Sequence, residues 1–224
     1  MHRRFRPISV LILALLSMQA WPDPFQPDSL NVTFPGVGEI TTTIHIGVGT
    51  RPEVEFQSKG ARLLAFPLGD AGPPDPESAT HPRGQALFRV IPGLPTPIIA
   101  VAVRNEYGTG FTDHLALVGI IGGKLTLLHM PWEISNLGGF HLGPLNATTP
   151  VGVAVWNFNW ADCHACPNPY EIISIPWDAD AQRFLDHRGS ITQTTKRYEG
   201  PEDVRKDLFP SYVDFMSEFN DLNE

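Results

Sequence analysis

Residues 97–130 read PIIAVAVRNEYGTGFTDHLALVGIIGGKLTLLHM, and their pattern decides the fold class. Residues 98–103 form a continuous apolar run. Asn105-Glu106-Tyr107-Gly108-Thr109-Gly110 interrupts it, and further apolar runs follow at 115–121 and 124–128. Each run is strand-length. Gly122-Gly123 separates the last two runs. A Gly-Gly pair suits a two-residue hairpin turn, because both positions take positive φ without a Cβ clash. The stretch therefore predicts three antiparallel strands in succession.

A similar unit lies 52 residues on. Val101-Ala102-Val103-Arg104-Asn105 matches Val153-Ala154-Val155-Trp156-Asn157. Each copy is followed by an insertion, then a second apolar run (115–121 against 170–175). A tight turn (122–123 against 177–180) and a third run (124–128 against 183–185) complete each unit. The pattern suggests internal duplication. The units resemble single blades of a β-propeller, in a chain short for a closed ring.

Upstream, Ile40, Thr42, Ile44, Ile46 and Val48 alternate along one face of a predicted strand. Short β-like runs recur at 52–57, 61–67 and 86–91, and Pro, Gly and Asp mark 69–84 as a loop. Downstream, Tyr212, Phe215, Phe219 and Leu222 share one helical face, with Ser211 placed to cap it. Pro201 is suited to open a shorter helix through Val204 and Leu208. The expected fold is mostly β: an antiparallel β-sandwich or blade-like stacked sheets with a C-terminal amphipathic helix. The expected organisation is a signal peptide at 1–20, an extended Pro-rich arm at 21–36, and a single β-rich domain at 37–224. A helical segment at about 201–223 closes that domain.

The signal-peptide reading rests on Arg3, Arg4 and Arg6 before an apolar run from 8 to 18, with Ala20 as the small residue at its end. The run is too short to cross a hydrocarbon core of about 30 Å as a helix. The expectation is a secreted or periplasmic protein with no membrane span in the mature chain. Formal net charge is −8, and cleavage would remove three arginines. An acidic chain repels phosphate backbones, so nucleic acid is not an expected partner. The 22 prolines and 20 glycines with 18% charged residues fit many turns and short extended segments.

Cys163 and Cys166 are the two cysteines of the chain, in Asp162-Cys163-His164-Ala165-Cys166-Pro167. Three chemistries fit. An exported pair is expected to form a disulfide that steadies the loop between two strands. A redox pair would use His164 to favour the thiolate. A soft metal site would need Cys163, His164 and Cys166, or His129 or His141 from elsewhere. Residues 158–166 resemble the approach to the active site of thioredoxin-like proteins. That family places its first cysteine at a helix N-terminus, whereas Pro167-Asn168-Pro169 and a β-like run follow here, so its fold is not implied.

Other candidates have simpler readings. Asp113-His114 could begin a catalytic dyad or end a polar loop. Asp178 and Asp180 resemble part of a calcium loop but lack its Gly and bidentate Glu, which leaves a turn. Trp132, Trp156, Trp160 and Trp177 read as core residues, or together as a sugar-binding platform. Asn31-Val32-Thr33 and Asn146-Ala147-Thr148 are glycosylation sequons where the host glycosylates. No set of residues assembles into a catalytic site and no cofactor is implied. The expected function is a non-catalytic exported module that binds a protein or polymer or serves as a scaffold. The rival is a thiol-redox or metal-binding protein centred on the C-x-x-C loop.

Overall fold

The computed structural model describes residues 29–47, 49–71, 83–91, 93–107, 110–135, 137–159, 166–185 and 189–209. These residues form antiparallel sheets that follow one another in chain order. The first sheet is a meander of β1 (Ser29–Phe34), β2 (Gly38–His45), β3 (Glu53–Ser58) and β4 (Ala61–Pro67). The second runs β5 (Arg83–Arg89), β6 (Ile98–Tyr107), β7 (Gly110–Ile121) and β8 (Lys124–Ser135). The third runs β9 (Gly139–Gly143), β10 (Gly152–Phe158), β11 (Tyr170–Asp178) and β12 (Arg183–Phe184). The strand β13 (Ser190–Gln193) adds to the free edge of β11 at Glu171–Ser174. The helix α1 (Pro201–Leu208) comes last.

Two cores hold the sheets face to face. Side chains alternate across a strand, so neighbours in β6 serve different cores. Ile98, Ala100 and Ala102 meet Phe140, Leu142, Val153 and Val155 of the third sheet. Ile99, Val101 and Val103 meet Ile40, Ile44, Val54 and Phe56 of the first. Both faces of the central sheet are thus covered, which is why its strands read as continuous apolar runs. The first sheet has one covered face, and Ile40, Thr42 and Ile44 alternate with the half-buried Thr41 and Thr43. Neither of these cores contains residues of both outer sheets, so the three sheets form a row.

The two ends of the row are finished differently. The outer face of the first sheet carries Asn31, Thr33, Thr41, Thr43, His45, Glu55 and Gln57. The outer face of the third carries Trp156, Phe158, Tyr170 and Ile172, and the C-terminal segment covers it with Tyr198, Val204 and Phe209. Each fully buried aliphatic or aromatic side chain contributes about 1.5–3 kcal/mol, which favours covering that apolar face.

The Gly122-Gly123 turn forms as expected, with φ of 55° and 77°. The predicted runs at 52–57, 61–67 and 86–91 are β3, β4 and β5. The structure differs from the sequence reading in several places. Residues 29–34 of the expected arm are strand β1, paired with β2. Strand β2 stops at His45, leaving Ile46 36% exposed, so the buried face does not extend to it. Strand β5 opens at Arg83, inside the segment read as loop. Strands β9 and β13 carry no clear β pattern in the sequence. Helix α1 begins at Pro201 as expected and ends at Leu208. The expected signal peptide and the helical face of Tyr212, Phe215, Phe219 and Leu222 lie outside the described residues.

Candidate functional site

The V-A-V-x-N repeat falls on the second strand of the second and third sheets, and its two asparagines do the same work. Asn105 Oδ1 accepts the backbone N–H of Asp70 at 3.1 Å, and its Nδ2 donates to Asp70 O at 3.5 Å. Asn157 Oδ1 accepts the backbone N–H of Ser135 at 3.0 Å, and its Nδ2 donates to Glu133 O at 3.1 Å. Each asparagine thereby clasps the chain as it leaves the preceding sheet. A glycine makes room for it in both places. A Cβ on Gly69 would stand 2.9 Å from Asn105 Oδ1, and one on Gly138 would stand 2.6 Å from Asn157 Oδ1. Buried polar groups must be paired, and here the pairing fixes the register of sheet on sheet. Sequence reasoning found the repeat but not this role; the shared Asn was the signal.

The Asp113-His114 pair sits at the same end of the central sheet as Asn105, and the sheet separates its members. Asp113 is paired with Arg104, its cross-strand partner, through two hydrogen bonds of 2.7 and 2.8 Å. The guanidinium also stacks on Phe111, 3.6 Å from the ring centroid. His114, one residue on, faces the first sheet, with Nε2 3.6 Å from Asp70 Oδ2. Asp113 therefore does not orient His114, and the two make no catalytic dyad.

The C-x-x-C motif lies between β10 and β11. Cys163 and His164 are outside the described residues. Cys166 is exposed, and its carbonyl accepts the Asn168 amide at 2.7 Å. Asn168 is itself held by paired backbone hydrogen bonds with Tyr198 of 3.0 and 2.9 Å. The candidate histidines are committed elsewhere. His129 meets the ring of Phe184 edge-on, at the end of β11 away from the C-x-x-C loop. His141 is fully buried on β9, with Nε2 2.9 Å from Pro144 O. Among the described residues, no three His, Cys, Asp or Glu side chains are grouped to hold a metal ion.

The aromatic residues concentrate under the C-terminal segment. Phe209 stacks on His141 at 4.7 Å and on Trp156 at 5.2 Å between centroids. Burial lowers the His141 pKa from its usual 6.5, against a smaller opposing effect of its hydrogen bond with Pro144. Tyr198 donates its hydroxyl to Asp207 Oδ2 at 2.8 Å, and Lys196 Nζ approaches the same oxygen at 2.8 Å. Burial, then the Asp207 carboxylate, pushes the Tyr198 phenol up to about 12. Tyr170 is pushed to about 12 by burial and by the charge of Asp203. Lys196, Tyr198, Asp203, Lys206 and Asp207 line a cleft of about 370 Å³. Within it Lys196 and Asp207 pair with each other.

The tryptophans divide. Trp156 is buried and Trp177 packs on Phe184, as core residues do. The side chain of Trp132, and all of Trp160, lie outside the described residues. Asp178 Oδ1 accepts the backbone N–H of Ala181 at 2.7 Å, so it shapes a turn. Among the described residues, no helix is long and apolar enough to cross a membrane. Comparison with protein-family models, with curated proteins and with solved structures finds nothing similar to this chain.

Proposed function

We propose that this chain is an exported, non-catalytic β module that binds another protein or a polymer, or scaffolds one. The observation that carries this reading is the separation of Asp113 from His114. Adjacent residues of a strand point to opposite faces, so the carboxylate serves Arg104 while the imidazole faces Asp70. Of the residues that resembled a catalytic pair, Asp113 pairs within the central sheet and His114 faces the chain leaving the first sheet. The basic and then apolar sequence of residues 1–20 supports export.

Export in turn favours a disulfide between Cys163 and Cys166. The bond would close a small loop whose outgoing end is already anchored through Asn168 and Tyr198. Its stabilisation is about 2 kcal/mol on the chain-entropy model.

Depletion isotherms of the purified mature chain on insoluble polysaccharides and on protein-coated surfaces test the binding reading. The same tubes are assayed for released soluble products. Saturable depletion without product is the expected result. Product release that disappears in His114→Gln would overturn the non-catalytic assignment. Thiol titration of the same protein separates the rival reading, since two titratable thiols with a bound metal would favour it.

A further inference from the structure

We infer that Asn146 is an acceptor site for an N-linked glycan, an inference that rests on the export reading. Asn146-Ala147-Thr148 satisfies the acceptor sequence, with Ala rather than Pro in the middle. The sequon occupies the tip of the connector between β9 and β10, and Asn146, Ala147 and Thr148 are all exposed.

The geometry of the tip divides the work of the Asn146 amide between its two ends. Oδ1 accepts three hydrogen bonds, from Thr148 N at 2.9 Å, Thr148 Oγ1 at 2.8 Å and Thr149 N at 2.8 Å. The turn is closed further by the backbone of Thr149 donating to Asn146 O at 3.2 Å. The whole structural duty of the side chain thus falls on its oxygen. The nitrogen, which carries the sugar, is on the other arm of the planar amide.

The transfer balances simply. In a secretory compartment the co-reactant is an oligosaccharide carried on a polyprenyl pyrophosphate. The amide Nδ2 bonds to C1 of the first sugar, the C1–O bond to pyrophosphate breaks, and one amide proton is lost to a base of the transferase. The product keeps its carbonyl oxygen. Transfer takes place on the entering chain, and the finished fold then accepts the glycan without giving up a hydrogen bond. A second sequon, Asn31-Val32-Thr33, has Asn31 and Thr33 exposed on the outer face of the first sheet, so the test must separate the two.

The full chain carrying Asn31→Asp is translated with microsomal vesicles that supply the lipid-linked donor. Protease protection reports entry, and a mobility shift reversed by endoglycosidase reports the glycan. The expected result is a protected chain with one glycan, which is absent when Asn146→Asp is added. A protected chain without a glycan overturns the site while leaving export intact. An unprotected chain overturns the export reading, and this inference with it. The fold supplies a second measurement. Asp retains an oxygen for the three donors, so Asn146→Asp should melt at the wild-type temperature, and so should the glycosylated protein. A glycosylated form that melts lower than its enzymatically deglycosylated counterpart would overturn the accommodation argued from the turn.

Discussion

Asn105 and Asn157 show how much a single side chain decides in this protein. Each spans from the second strand of one sheet to the exit of the sheet before it, a separation of 35 residues for Asn105 and Asp70. Removing a buried partner leaves backbone groups unsatisfied, at a cost of about 1–3 kcal/mol. Asn105→Ala and Asn157→Ala should each lower stability by that order, read from urea midpoints. Asn105 is the more buried of the two and should cost more. The glycine side of the clasp is open to the same test. Gly138→Ala places a Cβ 2.8 Å from the backbone oxygen of Trp156, which cannot swing aside, so it should destabilise even with Asn157 intact. The Arg104–Asp113 pair behaves as a unit. Arg104→Met strands an almost fully buried carboxylate and should cost about 3–5 kcal/mol, whereas adding Asp113→Leu should restore much of that loss. Equal destabilisation of the single and double variants would contradict the pairing.

The C-terminal segment is the element whose attachment depends most on ionisation. Its apolar anchors are Val204 and Phe209, and its polar anchor is Tyr198 on Asp207. Phe209→Ala removes the ring stacked on His141 and Trp156 and should cost about 3–5 kcal/mol. Two titrations bracket the stable range. Tyr170 and Tyr198 hold phenol pKa values near 12 in the fold against 10.0 when unfolded. The unfolded chain therefore loses these protons first. Their contribution is complete below pH 10 and is lost as pH rises from 10 toward 12. His141 has the opposite sign. Its folded pKa lies below 6.5, so the unfolded chain takes up the proton first and stability declines as pH falls below 6.5. The segment should be held most firmly between those limits. Tryptophan emission from the Trp156 region, followed against pH in wild type and Phe209→Ala, checks it. A wild-type midpoint unchanged from pH 5 to pH 11 would contradict the assignment.

As a whole molecule the chain is a row of sheets with a covered middle and dissimilar ends. Both faces of the central sheet are buried, and its strands β6 and β7 contribute to both cores. Exposing them requires disrupting both cores, so they should open only in large-scale unfolding. Hydrogen exchange should be slowest across 98–103 and 115–120, and fastest among the described strands in β1 and β13, which lie at sheet edges. Comparable protection of β1 and β6 would contradict the stacked arrangement. Maturation belongs to the same scale. If export proceeds as the N-terminus suggests, intact-mass measurement of the secreted protein should show a start near Trp21.

The sequence determined what local physics can determine. Alternation at 40–44, continuous apolar runs at 98–103 and 115–121, and a Gly-Gly pair between strands each carry their meaning within a few residues. Side-chain period and backbone φ do not depend on distant contacts. The same local chemistry placed the start of α1 at Pro201. Short strands such as β9, with the sequence Gly-Phe-His-Leu-Gly, were not legible, because their pairing comes from β10 rather than from their own propensity. Tertiary structure alone decided the order in which sheets meet and the face to which each polar residue turns. Asp113 and His114 are neighbours in the chain that strand period turns to opposite faces, and only the pairing of β7 with β6 brings Arg104 to Asp113 while the chain leaving the first sheet brings Asp70 to His114. The asparagine clasps were half visible as a repeated motif. Their meaning required the backbone of another sheet to arrive within hydrogen-bonding distance, and that is a property of the assembled row of sheets.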